Sequence, residues 1–560
     1  MKHKIWKIKN NNILHVKKLT HELSVNNIIA NLLVSRGVKS FNEAKNFFRP
    51  KLSGLHDPFL MHGMEKAVNR IKTAISKNQK ILIYGDYDVD GTTSVAMMYS
   101  FLKKHNTNIE YYIPCRYKEG YGISFQSIDY AYKNNVSLVV ALDCGIRDVD
   151  QIDYANKKNI DFIICDHHNP SKKTPKAIAV LNPKQFHCAY PYKELSGCGV
   201  GFKLIQAYSI KNNIAFEEII EYLDLLTISI GADIVPINGE NRILAFYGLK
   251  KINTKPSSAI KVLLESFCKK GEISMSDIVF GIAPRINAAG RIQHAKKAVE
   301  ILIEKNYDKI KLLAEGIEEN NNKRKGLDKS ITKEALQMID TTKKSTVVYN
   351  GSWHKGVVGI VASRLIEKHY KPTIVLTEDG ELFTGSARSV HDFDIYAAIS
   401  ECSHLCEKFG GHKYAAGLSV KKENIEDFIY LFEKVVAAKI TKDQLHPKID
   451  VDMEIDINDV DNKLYRIIKQ FSPFGPGNLP PVFVSRGVVD TGYAKQVGEE
   501  RQHLRLNIKK HKGSIACIGF SMGDFFDNIK NNKTFDICYR INENEWNGKK
   551  NLQLQSIDLK

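Results

Sequence analysis

Gly85-Asp86-Tyr87-Asp88-Val89-Asp90-Gly91 sets three carboxylates at alternate positions directly after the apolar run 80–84. Anions this close together are costly unless a cation neutralises them, so the composition is that of a metal-binding loop. The obvious rival is an EF-hand, which needs Asp at positions one, three and five, Gly at six and a bidentate Glu at twelve. Counted from Asp86, position twelve is Met97, and the preceding run has strand rather than helix character. That context argues against calcium sensing. Two further apolar runs end in the same chemistry: 139–142 leads into Asp143, and 162–165 leads into Asp166-His167-His168. Asp233 adds another acid after the apolar segment 223–230. Singly, each of these is a cap or a turn residue; together they make a metal site. Oxygen donors with one or two imidazoles suit Mn²⁺ or Mg²⁺ better than a thiolate-rich zinc centre. Two such ions about 3.5 to 4 Å apart, sharing a carboxylate, can clamp a phosphoryl group and activate water. The expected reaction is phosphoester hydrolysis without a covalent nucleophile.

The elements that must position these groups follow from the rhythm of the chain. Runs at 80–84, 109–113, 137–142 and 161–165 alternate with helical segments, which predicts a parallel sheet covered on both faces. Ligands of such sheets gather beyond the carboxyl ends of the strands, where the acids stand. Residues 1–70 read as a helical leader with an apolar stripe at Ile28, Ile29, Leu32, Leu33 and Val34, and residues 71–313 as the catalytic α/β domain. Residues 314–340 read as a connector helix, because the stretch 318–325 is almost wholly polar and a helix polar all round bridges through solvent. Residues 341–445 read as a smaller α/β domain. From residue 446 to 560, a period-two pattern at 449–457 and runs at 504–508, 515–520, 535–541 and 552–557 predict a small OB-like β-barrel, a nucleic-acid-binding design.

The 560 residues exceed what one core usually serves, and 43% hydrophobic with 26% charged content is ordinary globular material. No run approaches a membrane span and the polar start does not resemble a secretion signal, so the expectation is a cytoplasmic protein without membrane contact. Lys and Arg exceed Asp and Glu by 81 to 63, a balance of +18 that permits polyanionic partners but, being mostly scattered Lys, does not identify one. The ten Cys, several of them inside apolar runs, read as reduced buried thiols. Cys402, His404, Cys406 and His412 are the nearest thing to a zinc set, but Cys402 and Cys406 also fit one helix face, which favours packing. Gly351-Ser352-Trp353-His354-Lys355-Gly356-Val357 has the glycine spacing of a phosphate loop with Val357 where Lys is required, so ATP hydrolysis is not expected.

Asp-Tyr-Asp-Val-Asp-Gly, Leu-Asp-Cys-Gly, Asp-His-His and Gly-Ala-Asp, in this order, resemble the DHH phosphoesterase superfamily. The resemblance narrows to the bacterial RecJ family of single-strand-specific 5′-to-3′ exonucleases. It does so on Ile113 to Arg116 leading to Glu119-Gly120-Tyr121-Gly122, the segment 283–291, Trp353 to Ile360, Gly385-Ser386-Ala387-Arg388, Gly410-Gly411-His412 and Pro473-Phe474-Gly475-Pro476-Gly477-Asn478. Val89 stands where that family more often has Ala.

The resemblance implies that Asp86, Asp88 and Asp143 serve one metal and Asp90, Asp143, His167 and Asp233 the other, with Asp143 bridging. It implies a catalytic set of Asp88, Asp90, Asp143, His167 and His168, with His168 either a ligand or a contact to the scissile phosphate. Arg116, Arg285, Ser386 and Arg388 would bind the terminal phosphate of the strand, where Arg forks match phosphate oxygens, and His412 another substrate phosphate. The implied activity releases 5′ mononucleotides from single-stranded DNA threaded between two α/β lobes, in DNA repair and recombination beside a helicase and a single-strand-binding protein. Two alternatives stand beside it. One is a DHH-family phosphodiesterase acting on short oligonucleotides or cyclic dinucleotides. The other is a binding scaffold with a degenerate site, against which the intact acids speak.

Overall fold

The computed structural model describes residues 4–267, 271–509, 513–529, 533–546 and 548–560. The chain divides into two compact units, one formed by Lys45–Asn322 with Phe471–Pro480, the other by Met1–Ala44, Lys323–Gln470 and Pro481–Lys560.

The first unit is built on five parallel strands in the order Ile109–Tyr112, Lys80–Gly85, Val136–Leu142, Asp161–Cys165 and Ala179–Leu181. The last of these is too short to announce itself in the sequence. Alternate residues of one strand enter different cores: Ile81 and Ile83 pack in a large cluster on one face, Leu82 and Tyr84 in a smaller one on the other. Burial on both faces is why the runs are almost continuously apolar. The chain winds outward in both directions from the boundary between Lys80–Gly85 and Val136–Leu142, so a crevice opens at their carboxyl ends. Asp86 and Asp143 are the first residues past those two ends.

In the other unit, a mixed sheet runs Cys406–His412, Ala415–Lys421, Leu382–Arg388, Thr373–Asp379 and Thr346–Tyr349, with only the last pair parallel. Cys406 therefore opens a strand. Cys402 ends the helix Ile395–Glu401 and is buried, so the two thiols do not share a helix face. None of the nine described cysteines is in a disulfide. The C-terminal strands Phe483–Asp490, His503–Lys509, Ile515–Gly519, Phe535–Trp546 and Lys549–Leu559 close on themselves. The first pairs with both the second and the fourth, and the third runs parallel to the fifth. This ring is the five-stranded OB barrel.

The period-two stretch at 449–457 is not one strand. It breaks after Lys448–Val451 because Asp452 turns inward, accepting bonds from Val482 N (3.0 Å) and Lys9 Nζ (3.0 Å), and a 3-10 turn follows at Ile457–Asp459. The helix Tyr307–Gln337 spans the expected connector, but its polar centre is not wholly solvated: Asn320 and Asn321 are buried, and Glu318 is bound to Arg285. No described helix is long and apolar enough to cross a membrane.

Candidate metal centre

Strand ends and helix starts bring the acids together. Asp88 caps the helix Val89–Lys103, accepting from Gly91 N at 3.1 Å, while Val89 packs into the core and away from the acids. Gly91 lies against the backbone of Asp86, where a side chain would strike it. One helical position on, Asp90 points inward and is almost completely buried. It accepts bonds from Gly197 N (2.7 Å), Cys198 N (2.9 Å) and Ser229 Oγ (2.6 Å). The first two donors open the helix Gly197–Lys211, whose unpaired N–H groups and dipole favour an anion there. Gly197 permits the approach: a Cβ on it would come 2.7 Å from Asp143 Oδ1. Asp143 has φ +60, a left-handed conformation that Asp tolerates better than most residues and that turns its carboxylate back over the crevice. Sequence reasoning missed Gly197, Cys198 and Ser229, and a Ser-Gly-Cys-Gly helix start at Ser196 was the available signal.

Three sets of ligand atoms lie within 4.8 Å of one another: Asp86, Asp88 and Asp143; Asp90, His167 and Asp233; and Asp143, His167 and His168. His167 Nε2 is 3.2 Å from Asp143 Oδ1, 3.5 Å from Asp233 Oδ2 and 3.8 Å from Asp90 Oδ2. Burial holds the His167 ring below its ordinary pKa despite the nearby acids, which leaves it as the neutral imidazole a metal requires. The carboxyls are pushed the other way. Burial, then the crowding of like charges, raises Asp86 and Asp143 well above the usual range, and Asp233 to about 9. Asp86 Oδ1, Asp143 Oδ1 and both His167 ring nitrogens are buried without a hydrogen-bond partner among the described residues. Orphaned polar atoms packed this densely are expensive, and a divalent cation is the group that fits them.

His168 differs. Its Nδ1 is 2.7 Å from Asp166 Oδ1, and Asp166 also accepts from Ile146 N and from the backbone N–H groups of His167 and His168. Asp166 is held down at about 2 despite its burial, chiefly by the hydrogen bond and charge of His168, and in return raises His168. The Tyr121 hydroxyl also lies against the His168 ring, 3.2 Å from Nδ1 and 3.3 Å from Nε2. The motifs around Asp166 and Tyr121 do not by themselves reveal that Asp166 orients His168 or that Tyr121 lies beside it.

The expected phosphate contacts do not form one class. Arg116 lies beside the acids, its guanidinium 4.8 Å from the centre of the Tyr87 ring. Arg285 is not an open contact: its Nε and Nη2 hold the Glu318 carboxylate (2.6 and 3.3 Å), and Nη1 donates to Gly281 O (2.7 Å). In the other unit, Arg388 Nη1 donates to Ser386 Oγ and Ala387 O, both at 2.8 Å. Gly359, in the first turn of the helix Val358–Lys368, lies so close to both side chains that a Cβ there would be 3.1 Å from each. Two donor side chains beside the start of a helix make an anion niche. His412 ends the edge strand Cys406–His412 and is exposed.

Comparison with known proteins agrees along the whole length. Residues 80–230 match the DHH family, N-terminal domain, residues 342–438 the DHHA1 domain, and residues 451–558 the RecJ OB domain. The single-stranded-DNA-specific exonuclease RecJ of Bacillus subtilis is 35% identical, aligned over 99% of this chain and 70% of its own. That of Haemophilus influenzae is 30% identical over 90% of this chain and 91% of its own. Among solved structures, RecJ from Thermus thermophilus in complex with Mn²⁺ shares the fold with a TM-score of 0.87 at 24% identity, covering 99% of this chain and 79% of that one. Exonuclease RecJ bound to manganese gives 0.62 at 28% identity, covering 70% of this chain and 98% of that one. On this evidence the chain belongs to the RecJ family of exonucleases.

Proposed function

We propose that this chain is a metal-dependent exonuclease that degrades single-stranded DNA from its 5′ end and releases 5′ mononucleotides. The observation that carries the reading is the buried cluster of Asp86, Asp143 and His167 atoms left without hydrogen-bond partners among the described residues at the end of a parallel sheet. Asp86, Asp88 and Asp143 would hold one divalent ion, and Asp90, Asp143, His167 and Asp233 a second, Asp143 being common to both. When bound, Mn²⁺ or Mg²⁺ supplies Lewis-acid polarisation of a phosphodiester and makes a nearby water more acidic. The chain's own groups do the rest. His168, whose ring is oriented by Asp166 and whose pKa that pairing raises against the effect of burial, would offer a hydrogen-bond donor to the negative charge that builds on the phosphate. Asp90 is the most fully hydrogen-bonded of the proposed carboxylate ligands, which fixes its orientation before any ion arrives.

Ser386 and Arg388 would receive the terminal 5′ phosphate, and Arg116 and His412 further phosphates. Arg285 would serve through Glu318 instead of by direct contact. Residues 1–70, 71–313, 314–340, 341–445 and 446–560 remain the division we propose for leader, catalytic, connector, substrate-binding and OB regions. A role in repair and recombination in the cytoplasm, beside a helicase and a single-strand-binding protein, belongs to the same reading. A phosphodiesterase for short oligonucleotides or cyclic dinucleotides has no evident need of the C-terminal barrel.

The test is to supply labelled single-stranded and duplex DNA, with and without a 5′ phosphate, in Mg²⁺ or Mn²⁺, and to identify the first product. The reading expects a mononucleotide from the 5′ end of the single strand alone. A dinucleotide, or equal attack on duplex, would overturn it.

A further inference from the structure

The motif Pro473-Phe474-Gly475-Pro476-Gly477-Asn478 lies between the helix Asn462–Lys469 and the barrel strand Phe483–Asp490, yet Phe471–Pro480 packs within the catalytic unit. It lies against the segment that carries Asp233. Pro476 O accepts from Ile237 N at 2.7 Å. Gly475 is pressed on Ile237 so closely that a Cβ there would be 2.5 Å from Ile237 Cγ1. A few residues on, the buried Arg242 closes the grip. Its Nη1 donates to Phe471 O (3.0 Å) and Pro473 O (3.3 Å), and its Nη2 to Ser472 O (3.1 Å). Asn478 ties the loop to itself through Nδ2 bonds to Phe471 O and Pro473 O, both 2.8 Å.

Between Asp233 and this clamp stands Ile234, with φ +59 and an exposed side chain. A β-branched residue is a genuine outlier in the left-handed region, and such a conformation persists only where its surroundings over-determine it. Asp233 N still closes the preceding helix on Ser229 O at 2.9 Å, so the strained turn is the step by which the chain leaves the helix with Asp233 facing His167. Ile237 and Arg242, held by the loop, fix the far side of that turn.

We infer that Phe471–Pro480 is a positioning strap which forces the left-handed turn at Ile234 and thereby aims Asp233 at the metal. The inference rests on Asp233 being a metal ligand, as proposed above. It also means that deleting residues 446–560 removes a support of the Asp233 turn along with the barrel, so such a truncation does not isolate DNA binding.

The test uses full-length, chelator-treated protein, with Mn²⁺ affinity read by calorimetry and by loss of the free Mn²⁺ electron paramagnetic resonance signal. Gly475→Ala should weaken Mn²⁺ binding by about tenfold or more, the usual effect of losing a group that orients a ligand. Ile234→Gly added to it should recover most of that loss, since glycine reaches the left-handed turn without being forced. Leu263→Ala, a core truncation in the helix Ser258–Ser266, which carries none of the ligands, should lower the melting midpoint and leave Mn²⁺ affinity unchanged. Wild-type affinity in Gly475→Ala, an equal loss in Leu263→Ala, or no recovery in the double variant would overturn the strap alone. A wild-type chain that binds no Mn²⁺, or Asp233→Asn with undiminished affinity, would overturn the metal reading and the strap with it.

Discussion

The proposed metal centre and the Ser386–Arg388 pair proposed to take the terminal phosphate are prepared in opposite ways. In the first, buried polar atoms of Asp86, Asp143 and His167 have no hydrogen-bond partner among the described residues, and the carboxyls are driven toward protonation. In the second, the donors are already occupied by neighbours, Arg388 by Ser386 and Ala387, and burial lowers the Arg388 pKa without an acid to oppose it. A cluster that cannot satisfy itself requires a cation. A set of donors that holds itself in place can exchange weak internal bonds for a phosphate at small reorganisation cost. On the proposed reading, the contrast separates residues that would carry the chemistry from residues that would choose the end of the strand.

Breaking the first half should have the largest effect. Asp143→Asn keeps a side chain that tolerates the left-handed backbone but removes the shared charge. Hydrolysis of labelled single strands should fall roughly a thousandfold or more, about 4 kcal/mol of transition-state stabilisation. Next comes the niche: Arg388→Ala should lower kcat/KM for 5′-phosphorylated strands by roughly tenfold to a hundredfold, the worth of one or two charge-assisted hydrogen bonds. The same variant should leave 5′-hydroxyl strands nearly unaffected, and an equal loss on both would move Arg388 from end recognition to general binding.

Metal removal sharpens the contrast through pH. Asp143 is raised well above the usual carboxyl value in the folded chain, and Asp233 to about 9, mainly by burial. From about pH 4 upward the folded chain therefore holds protons that the unfolded chain has released, and stability falls as pH rises toward the folded values. The melting midpoint of chelator-treated protein should decline over that window. Saturating Mn²⁺ should flatten or reverse the slope, because metal replaces those protons. A midpoint indifferent to both pH and Mn²⁺ would mean that the acids are not strained against one another.

The smallest effect is expected at Arg285. Glu318→Gln should lower the midpoint by a few degrees, as a partly buried ion pair warrants, and change KM by no more than about threefold. A tenfold shift in KM would return Arg285 to the substrate.

The convergence of the acids and imidazoles was legible because each of the strand-end residues follows a continuously apolar run, and a parallel sheet buried on both faces leaves few other readings of such runs. Asp143 and Asp166-His167-His168 could be placed at one edge for that reason alone. What holds those groups was not legible. The donors to Asp90 come from Gly197, Cys198 and Ser229, more than a hundred residues away, and the partner of Arg285 lies on the next long helix. Local pattern carries no record of such pairings. Cys406 was misplaced because a spacing of four fits a helix face, whereas a 3-10 turn at Ser403–Leu405 intervenes before the strand. The motif at Pro473 was visible as letters, but its packing against Ile237 depends on a loop leaving its neighbours in sequence for another unit.

The central claim is that Asp143 is shared by two divalent ions. Calorimetric titration of chelator-treated wild-type protein with Mn²⁺, beside Asp143→Asn, addresses it most directly. The account predicts two ions per chain in the wild type and loss of tight binding at both positions in the variant. Absence of Mn²⁺ binding in the wild type, or an unaltered isotherm in Asp143→Asn, would contradict it.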